Sequence, residues 1–232
     1  VGAERARIGP WHGDPGIGCV TPQPGSPPPS ARLAERCLEQ LARLGFREVI
    51  TAAVPVAESA GFVEAGFHVS ERLYLLERPV LSSDRPAPAV PTGVALRRAR
   101  KRDLDDVLAV DARCFGSFWR LDAAGLQDAR SATAFARFRV AVRDSAVVGY
   151  AITGRHGRAG YLQRLAVDPA ERRAGIGTAL VRDGLRWLAV WRTTSVLVNT
   201  QESNATALAL YESLRFTRKP DGLTVLSAHL PA

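Results

Sequence analysis

The run Leu165-Ala166-Val167-Asp168-Pro169, followed by Arg172-Arg173-Ala174-Gly175-Ile176-Gly177-Thr178, constrains the fold of this chain more than any other segment. An aliphatic run is stopped by Asp-Pro, and beyond Gly175 the apolar residues Ile176, Leu180, Leu185 and Leu188 recur at helical spacing. A strand therefore passes through a short basic turn into a long amphipathic helix. Small residues at the start of that helix let a ligand approach the backbone. The N–H groups of the first turn have no intrahelical partner and point outward with the positive end of the helix dipole. Such a terminus binds pyrophosphate, and Arg172 and Arg173 add charge beside it. Plain packing of small residues explains the two glycines equally well. No Gly-Lys-Ser/Thr triplet follows, so this is not a P-loop, and the third glycine and acidic residue of a dinucleotide fingerprint are missing.

Around this unit the pattern alternates between strand and helix. Val94 and Leu96 alternate with Ala95 and Arg97 as a strand, and Asp103 stands where a helix N-cap is expected, the helix reaching about Cys114. A short helix is expected over 121–129. Strands are expected over 138–142 and 146–152, joined as a hairpin at Asp144-Ser145. Further strands fall at 161–167, 194–198 and 223–226, with an alanine-rich helix over 204–214. This order predicts an α/β fold with a mixed, mostly antiparallel central sheet and helices on both faces. Prolines 79, 86, 88 and 91, set among Ser82, Ser83 and Asp84, read as a linker and divide the chain into 1–80, a connection at 81–91, and 92–232. A second proline-rich stretch, 22–29, excludes helix and central strand there.

Downstream of the glycine turn, Asn204-x-x-Ala207-x-x-x-Tyr211 and Phe216 stand in an order and at a distance that resemble the GNAT superfamily of N-acetyltransferases. The likeness covers about 92–230. It implies the acyl-CoA N-acyltransferase fold and an enzyme that takes an acetyl group from acetyl-CoA and passes it to an amine by direct attack on the thioester. Carried over residue by residue, the backbone of Leu165, Ala166 and Val167 pairs with the pantetheine arm, with the acetyl carbonyl against Val167. Arg172 lends charge to the pyrophosphate, and the N–H groups of Arg173, Ala174, Gly175, Ile176, Gly177 and Thr178 hold it. Asn204 bonds the cofactor arm, and Tyr211 lies near the sulfur. A hydroxyl there can protonate the departing thiolate. The family often carries a glutamate as base on the strand before the glycine turn, but here Gln163 and Arg164 occupy those positions, leaving Glu202 or a water chain. Arg215 stands where relatives have the glycine that ends the helix in a left-handed turn. Phe115, Phe118 and Trp119 fall in the loop that the family places beside the acceptor amine; they either line an apolar acceptor pocket or anchor the loop on the core.

The first half looks like a worn partial copy of the same fold. A shift of 147 positions sets Leu33, Leu38, Leu41 and Ala42 on Leu180, Leu185, Leu188 and Ala189, and two more set Phe62 and Phe67 on Tyr211 and Phe216. Gly25-Ser26-Pro27-Pro28-Pro29-Ser30 replaces the glycine turn, and proline has no N–H for a phosphate. Two ordinary amphipathic helices matching by chance would look similar.

Of the 232 residues 46% are hydrophobic, enough for a core, which excludes a disordered or fibrous class. Cys19, Cys37 and Cys114 are far apart and away from the histidines, so neither a disulfide framework nor a metal site is expected. No run approaches the roughly 20 apolar residues of a bilayer span, and a soluble cytoplasmic protein with no membrane partner is expected. The net charge of +8 is almost all arginine. The basic run Arg97, Arg98, Arg100, Lys101 and Arg102 lacks interleaved aromatics, which disfavours nucleic acid as a partner. The acceptor stays open between a small molecule and a protein N-terminus. Tandem superfamily members such as mycothiol synthases suggest the first; the likeness of 161–177 to ribosomal-protein alanine acetyltransferases suggests the second. A non-catalytic acetyl-CoA sensor is the competing class, and a homodimer is an open assembly.

Overall fold

The computed structural model describes residues 3–12, 14–23 and 25–230. In chain order the elements are β1 (Ala6–Trp11), β2 (Asp14–Pro22), α1 (Ala31–Arg43), β3 (Glu48–Thr51), β4 (Val54–Pro55), α2 (Ala60–Glu64), β5 (His68–Pro79), β6 (Val94–Arg98), α3 (Leu104–Cys114), α4 (Ala123–Ser131), β7 (Phe135–Arg143), β8 (Ala146–His156), β9 (Ala159–Val167), α5 (Ile176–Val190), β10 (Ser195–Gln201), α6 (Ala205–Ser213), β11 (Thr217–Arg218) and β12 (Leu223–His229). They fall into two compact units. The first comprises Val1–Leu75, Asn199–Ala205 and Arg218–Ala232, and the second Leu76–Val198 and Thr206–Thr217. No helix of the described residues is long and apolar enough to cross a membrane.

In the first unit the strands run β1-β2-β3-β12-β5, with β4 also on β12. The β2/β3 pair is parallel and the others are antiparallel. The apolar face of α1, with Ala34, Cys37 and Leu41, is buried against Val49, Phe62, Phe67, Leu226 and Ala228. The order α1, β3, α2 and β5 follows, with Leu41 on α1 and Phe62 on α2 in one core. Two features were not anticipated. The β1/β2 hairpin precedes it, hidden in the sequence because Pro10, Gly16 and Gly18 break the apolar alternation. Gly18 is needed for packing: a Cβ there would stand 2.9 Å from Leu41 Cδ2, so α1 lies directly on the strand. The closing strand β12, expected as part of 92–232, pairs with β3, β4 and β5 inside the first unit. Its own alternation marks a strand but says nothing of its neighbours.

In the second unit the order is β10-β9-β8-β7-β6, antiparallel except for β9/β10. The β7/β8 hairpin turns at Asp144 (φ 47°) and Ser145 (φ 67°), the paired left-handed conformation of a type I′ turn. Adjacent residues of β8 face opposite ways. Ile152 is buried with Val107 and Val110 of α3, while a Cβ on Gly184 of α5 would stand 2.4 Å from Thr153 Oγ1. Helices therefore cover both faces, and α5 buries Ile176, Leu180, Leu185 and Leu188 as its periodicity predicts. Asp103 precedes α3 as expected but does not cap it with its side chain. The carboxylate instead takes both Arg97 Nη atoms (2.6 and 2.8 Å) and the Arg100 N–H, and the guanidinium holds its pKa down at about 2. The connection at 81–91 is partly fixed: Asp84 accepts two bonds from Arg78, and Arg186 Nε donates to Arg85 O at 3.0 Å.

Helix α6 ends in the turn that Arg215 put in question. Arg215 has φ 65°, its N–H reaches Glu212 O, and the Phe216 N–H reaches Tyr211 O at 3.0 Å, which is a Schellman end built without glycine. A left-handed non-glycine residue costs about 1–2 kcal/mol, part of which glycine returns through its freer unfolded chain. Arg215→Gly is therefore expected to raise the melting temperature by roughly 2–4 °C. A thermal scan showing no gain would mean that the arginine is unstrained there.

Candidate active site

Strand β9 has one side for the sheet and one for something else. Asp168 N–H donates to Val148 O at 2.9 Å, and antiparallel bonding alternates. Ala166, opposite Tyr150, therefore bonds to β8, while Leu165 and Val167 turn their N–H and C=O groups to the other edge. On that edge β10 pairs only with Ala159, Gly160 and Tyr161, so within the second unit 162–167 has a strand neighbour on the β8 side alone. Two donors converge on the Val167 carbonyl: Cys114 Sγ at 3.1 Å and Arg172 Nε at 3.4 Å.

The chain then turns through Asp168 and Pro169 into α5. Arg173 (φ 63°) and Gly175 (φ 80°) are left-handed, and Gly175 is the N-cap residue. The first intrahelical bond runs from Ala179 N–H to Gly175 O, so the N–H groups of Ile176, Gly177 and Thr178 have no intrahelical acceptor. A Cβ on Gly177 would come within 3.3 Å of Leu210 Cδ2 and 3.7 Å of Val167 Cγ2, which is close packing between the end of β9 and α6. Arg172, Arg173, Ala174 and Gly175 are exposed. The turn's two acidic side chains are already paired, Asp168 with Arg113 at 2.8 Å and Glu171 with Arg143. Arg172 and Arg173 thus leave the turn net positive, which favours an anion at the helix start.

Tyr211 on α6 is buried with its ring 5.6 Å from that of Phe216. Burial pushes its phenol pKa well above the ordinary tyrosine range, and the positive charge of Arg164 partly offsets this. Arg164 belongs to a cluster that sequence reasoning missed. The Asp111 carboxylate on α3, fully buried, accepts from Arg164 Nε (2.8 Å) and Nη2 (2.9 Å), from the Tyr150 hydroxyl (2.5 Å) and from the Leu121 N–H (2.7 Å). Arg164 Nη2 also donates to Trp119 O at 2.8 Å, and its guanidinium lies 3.5 Å over the Phe115 ring. Part of the signal was in the sequence: Asp111 shares a helical face with Val107 and Cys114, and Arg164 falls in strand phase with Ala166, although the register shift at Ile152/Thr153 puts Leu162 on the other face. Opposite charges on two apolar faces of one domain imply each other.

The aromatic loop is therefore anchored. Phe115 lies under Arg164 and against the core around Val107, and Phe118 and Trp119 meet edge-on at 5.1 Å, all three half-buried. Glu202 and Asn204 belong to the first unit. Glu202 is exposed, with its N–H on Arg72 O, and the Asn204 N–H reaches Gln201 O at 3.0 Å. In the first unit the start of α1 is occupied from within the chain. Ser30 caps the helix by accepting from Leu33 N–H, and Glu4 Oε2 accepts from Ser30 N–H (3.2 Å) and Oγ (2.7 Å). A Cβ on Gly61 of α2 would fall 2.1 Å from Pro29 O. A carboxylate and a neighbouring helix thus stand at the terminus where the corresponding α5 turn is open.

Residues 104–216 match the family model described as acetyltransferase (GNAT) family. The chain is 31% identical over 198 residues, 79% of its length, to a mycothiol acetyltransferase of Amycolatopsis mediterranei, and 34% identical over 175 residues, 69% of its length, to one of Thermobispora bispora. It spans 65% and 59% of the length of those two relatives, less than two thirds of either. Among solved structures it is similar in fold to a tandem GNAT protein of the clavulanic acid biosynthesis pathway (TM-score 0.66, 18% identity, 95% of this chain and 77% of that one). A GCN5-related N-acetyltransferase from Sphaerobacter thermophilus is comparable (TM-score 0.65, 15% identity, 97% and 76%). Residues 104–216, just under half of the chain, thus carry an acetyltransferase (GNAT) domain.

Proposed function

We propose that the protein is an acetyl-CoA-dependent N-acetyltransferase that passes the acetyl group to the primary amine of a small molecule or a protein N-terminus. The observation that carries this is the junction of the open edge of β9 with the net-positive turn at the start of α5, with Tyr211 buried in the same unit. The residues fit the co-substrate. The outward N–H groups of Leu165 and Val167 and the Leu165 C=O suit an amide-bearing arm, and the N–H groups of Ile176, Gly177 and Thr178 with Arg172 and Arg173 suit a diphosphate. Acetyl-CoA supplies an activated thioester carbonyl and a thiolate leaving group.

The protein's part is to position and to move protons. The Val167 N–H polarises the acetyl oxygen, and Tyr211 gives its phenol proton to the departing sulfur. Burial keeps that phenol protonated at neutral pH, as an acid requires. Asp111 is not available as a base, because four donors already fill its oxygens. The amine proton leaves through water. The relatives' name, mycothiol acetyltransferase, favours a small-molecule acceptor over a protein N-terminus.

Acetyl-CoA at 100 times its dissociation constant is expected to stabilise the protein by about 2.7 kcal/mol in a thermal shift. Thiol release on adding an amine should follow. An unchanged melting curve removes the reading. A shift with no thiol release against any amine leaves the protein as a non-catalytic acetyl-CoA sensor.

A further inference from the structure

The proline-rich segment between β5 and β6 reads from its sequence as a plain connection, yet its burial is periodic. Pro88 and Pro91 are half-buried, while Arg85, Pro86, Ala87, Ala89 and Val90 are exposed. A repeat of three is the period of an extended polyproline helix, in which every third side chain falls on one face. Both ends of the segment meet α5. Arg186 Nε on α5 donates to Arg85 O at 3.0 Å, and a Cβ built on Gly175, the N-cap residue, would stand 3.5 Å from Pro91 Cγ. The lengths agree: from Arg85 to Pro91 a polyproline helix covers about 19 Å, and from Gly175 to Arg186 an α-helix rises about 16 Å. The segment therefore runs back along α5 from Arg186 to the start of the helix.

It is also fastened at each end. Before it, Asp84 accepts two bonds from Arg78 (3.1 and 2.8 Å) and one from the Leu81 N–H, and the Val80 N–H reaches Thr194 O at 2.9 Å. After it, the Val94 N–H closes a turn on Pro91 O at 3.0 Å, with Gly93 left-handed at φ 76°, and β6 begins. All of these residues lie in the second unit. The turn against which Pro91 stands is exposed over 172–175. Arg173 is left-handed there at φ 63°, which is unfavourable for a residue with a Cβ, and Gly175 at φ 80° is a residue that takes either sign of φ with ease. A proline ring pinned at its own carbonyl is a rigid stop beside such a glycine.

We propose that segment 85–91 is a strap on α5 and that Pro91 is a positioning residue for co-substrate binding, its ring holding Gly175 in the left-handed conformation that opens the Ile176, Gly177 and Thr178 N–H groups to a diphosphate. This rests on the acetyltransferase reading above. Affinity for acetyl-CoA is then set in part by residues outside 104–216, the stretch that matches the family model. A turn held beforehand in its binding conformation loses less freedom when the anion arrives. The reacting carbonyl lies a whole pantetheine arm away from the diphosphate, so the strap acts on binding and not on the chemical step.

The test titrates acetyl-CoA into the intact chain and three variants, and compares kcat with the amine that the wild type acetylates fastest. Pro91→Gly removes the ring. Pro91→Ala keeps the Cβ but lacks the Cγ that faces Gly175, and tests the same contact with less added freedom in the chain. Pro86→Gly is the control, because it loosens the segment at an exposed position. Pro91→Gly should raise the dissociation constant and the KM for acetyl-CoA about 3–10-fold while kcat stays within about twofold of wild type, and Pro91→Ala should fall between. Pro86→Gly should leave all three constants at their wild-type values.

A dissociation constant that moves less than about twofold in both Pro91 variants, even with a lowered melting temperature, would reduce the strap to a structural part and overturn the proposal. An equal weakening by Pro86→Gly, or a fall in kcat as large as the rise in KM, would overturn it too. Those results leave the acetyltransferase reading standing, because the wild type still binds acetyl-CoA. A wild type that shows no binding removes that reading and the proposal together.

Discussion

Asp111→Asn lowers the stability of the second unit by about 3–5 kcal/mol, the cost of breaking a buried ion pair from one side. The wild-type carboxylate is fully buried and meets four donors with four lone-pair directions. Asparagine offers one acceptor oxygen and turns an NH2 toward groups that are themselves donors. Arg164 then stands in the interior with its charge uncompensated, and the Leu121 N–H and Tyr150 hydroxyl compete for what remains. The loss should appear as an earlier midpoint in urea, followed by the fluorescence of Trp119, Trp187 and Trp191, all of which lie in the second unit. A midpoint shift worth less than about 1 kcal/mol, the scale of an exposed pair, would show that water reaches this cluster and that it does not brace the aromatic loop.

The same cluster marks how far the sequence could be read. Features set by neighbours along the chain were legible. The arrest of β9 at Asp168-Pro169, the periodic face of α5 and the Asp144-Ser145 hairpin each depend on a few consecutive residues whose steric preferences are strong. Features set by neighbours in space were not. The alternation of Leu223, Val225 and Ser227 identifies a strand, but its pairing with β3 and β5 belongs to the topology. The β1/β2 hairpin carries glycine and proline where the apolar code would be, because α1 packs too closely on Gly18 to allow a side chain. The basic turn and the start of α5 at its glycines were legible. That Glu4, from 26 positions upstream, accepts from Ser30, the residue that caps α1, was not. The expectation that the turn at 25–30 has no N–H for a phosphate rested on its prolines. The carboxylate gives a second physical reason, since an anion already accepts the Ser30 N–H.

Tyr211→Phe is expected to lower kcat by about 10², the lower end of general acid catalysis, while the acetyl-CoA thermal shift stays at its wild-type size. The substitution removes one oxygen and keeps the ring that packs 5.6 Å from Phe216, so the helix and the adjoining turn should be undisturbed. The pH dependence gives an independent check. Burial raises the folded-state pKa of the phenol above its unfolded value of about 10, against the pull of Arg164. The stabilisation of the neutral phenol is therefore fully present below about pH 10 and is lost only as pH climbs through the raised folded value. Wild-type kcat should accordingly show no alkaline loss from this tyrosine up to about pH 10, and an acid with an ordinary tyrosine pKa would begin to fail there. If the phenylalanine variant turns over at the wild-type rate, the leaving thiolate takes its proton from water. If it loses acetyl-CoA binding instead, the hydroxyl belongs to the co-substrate site and not to the chemical step.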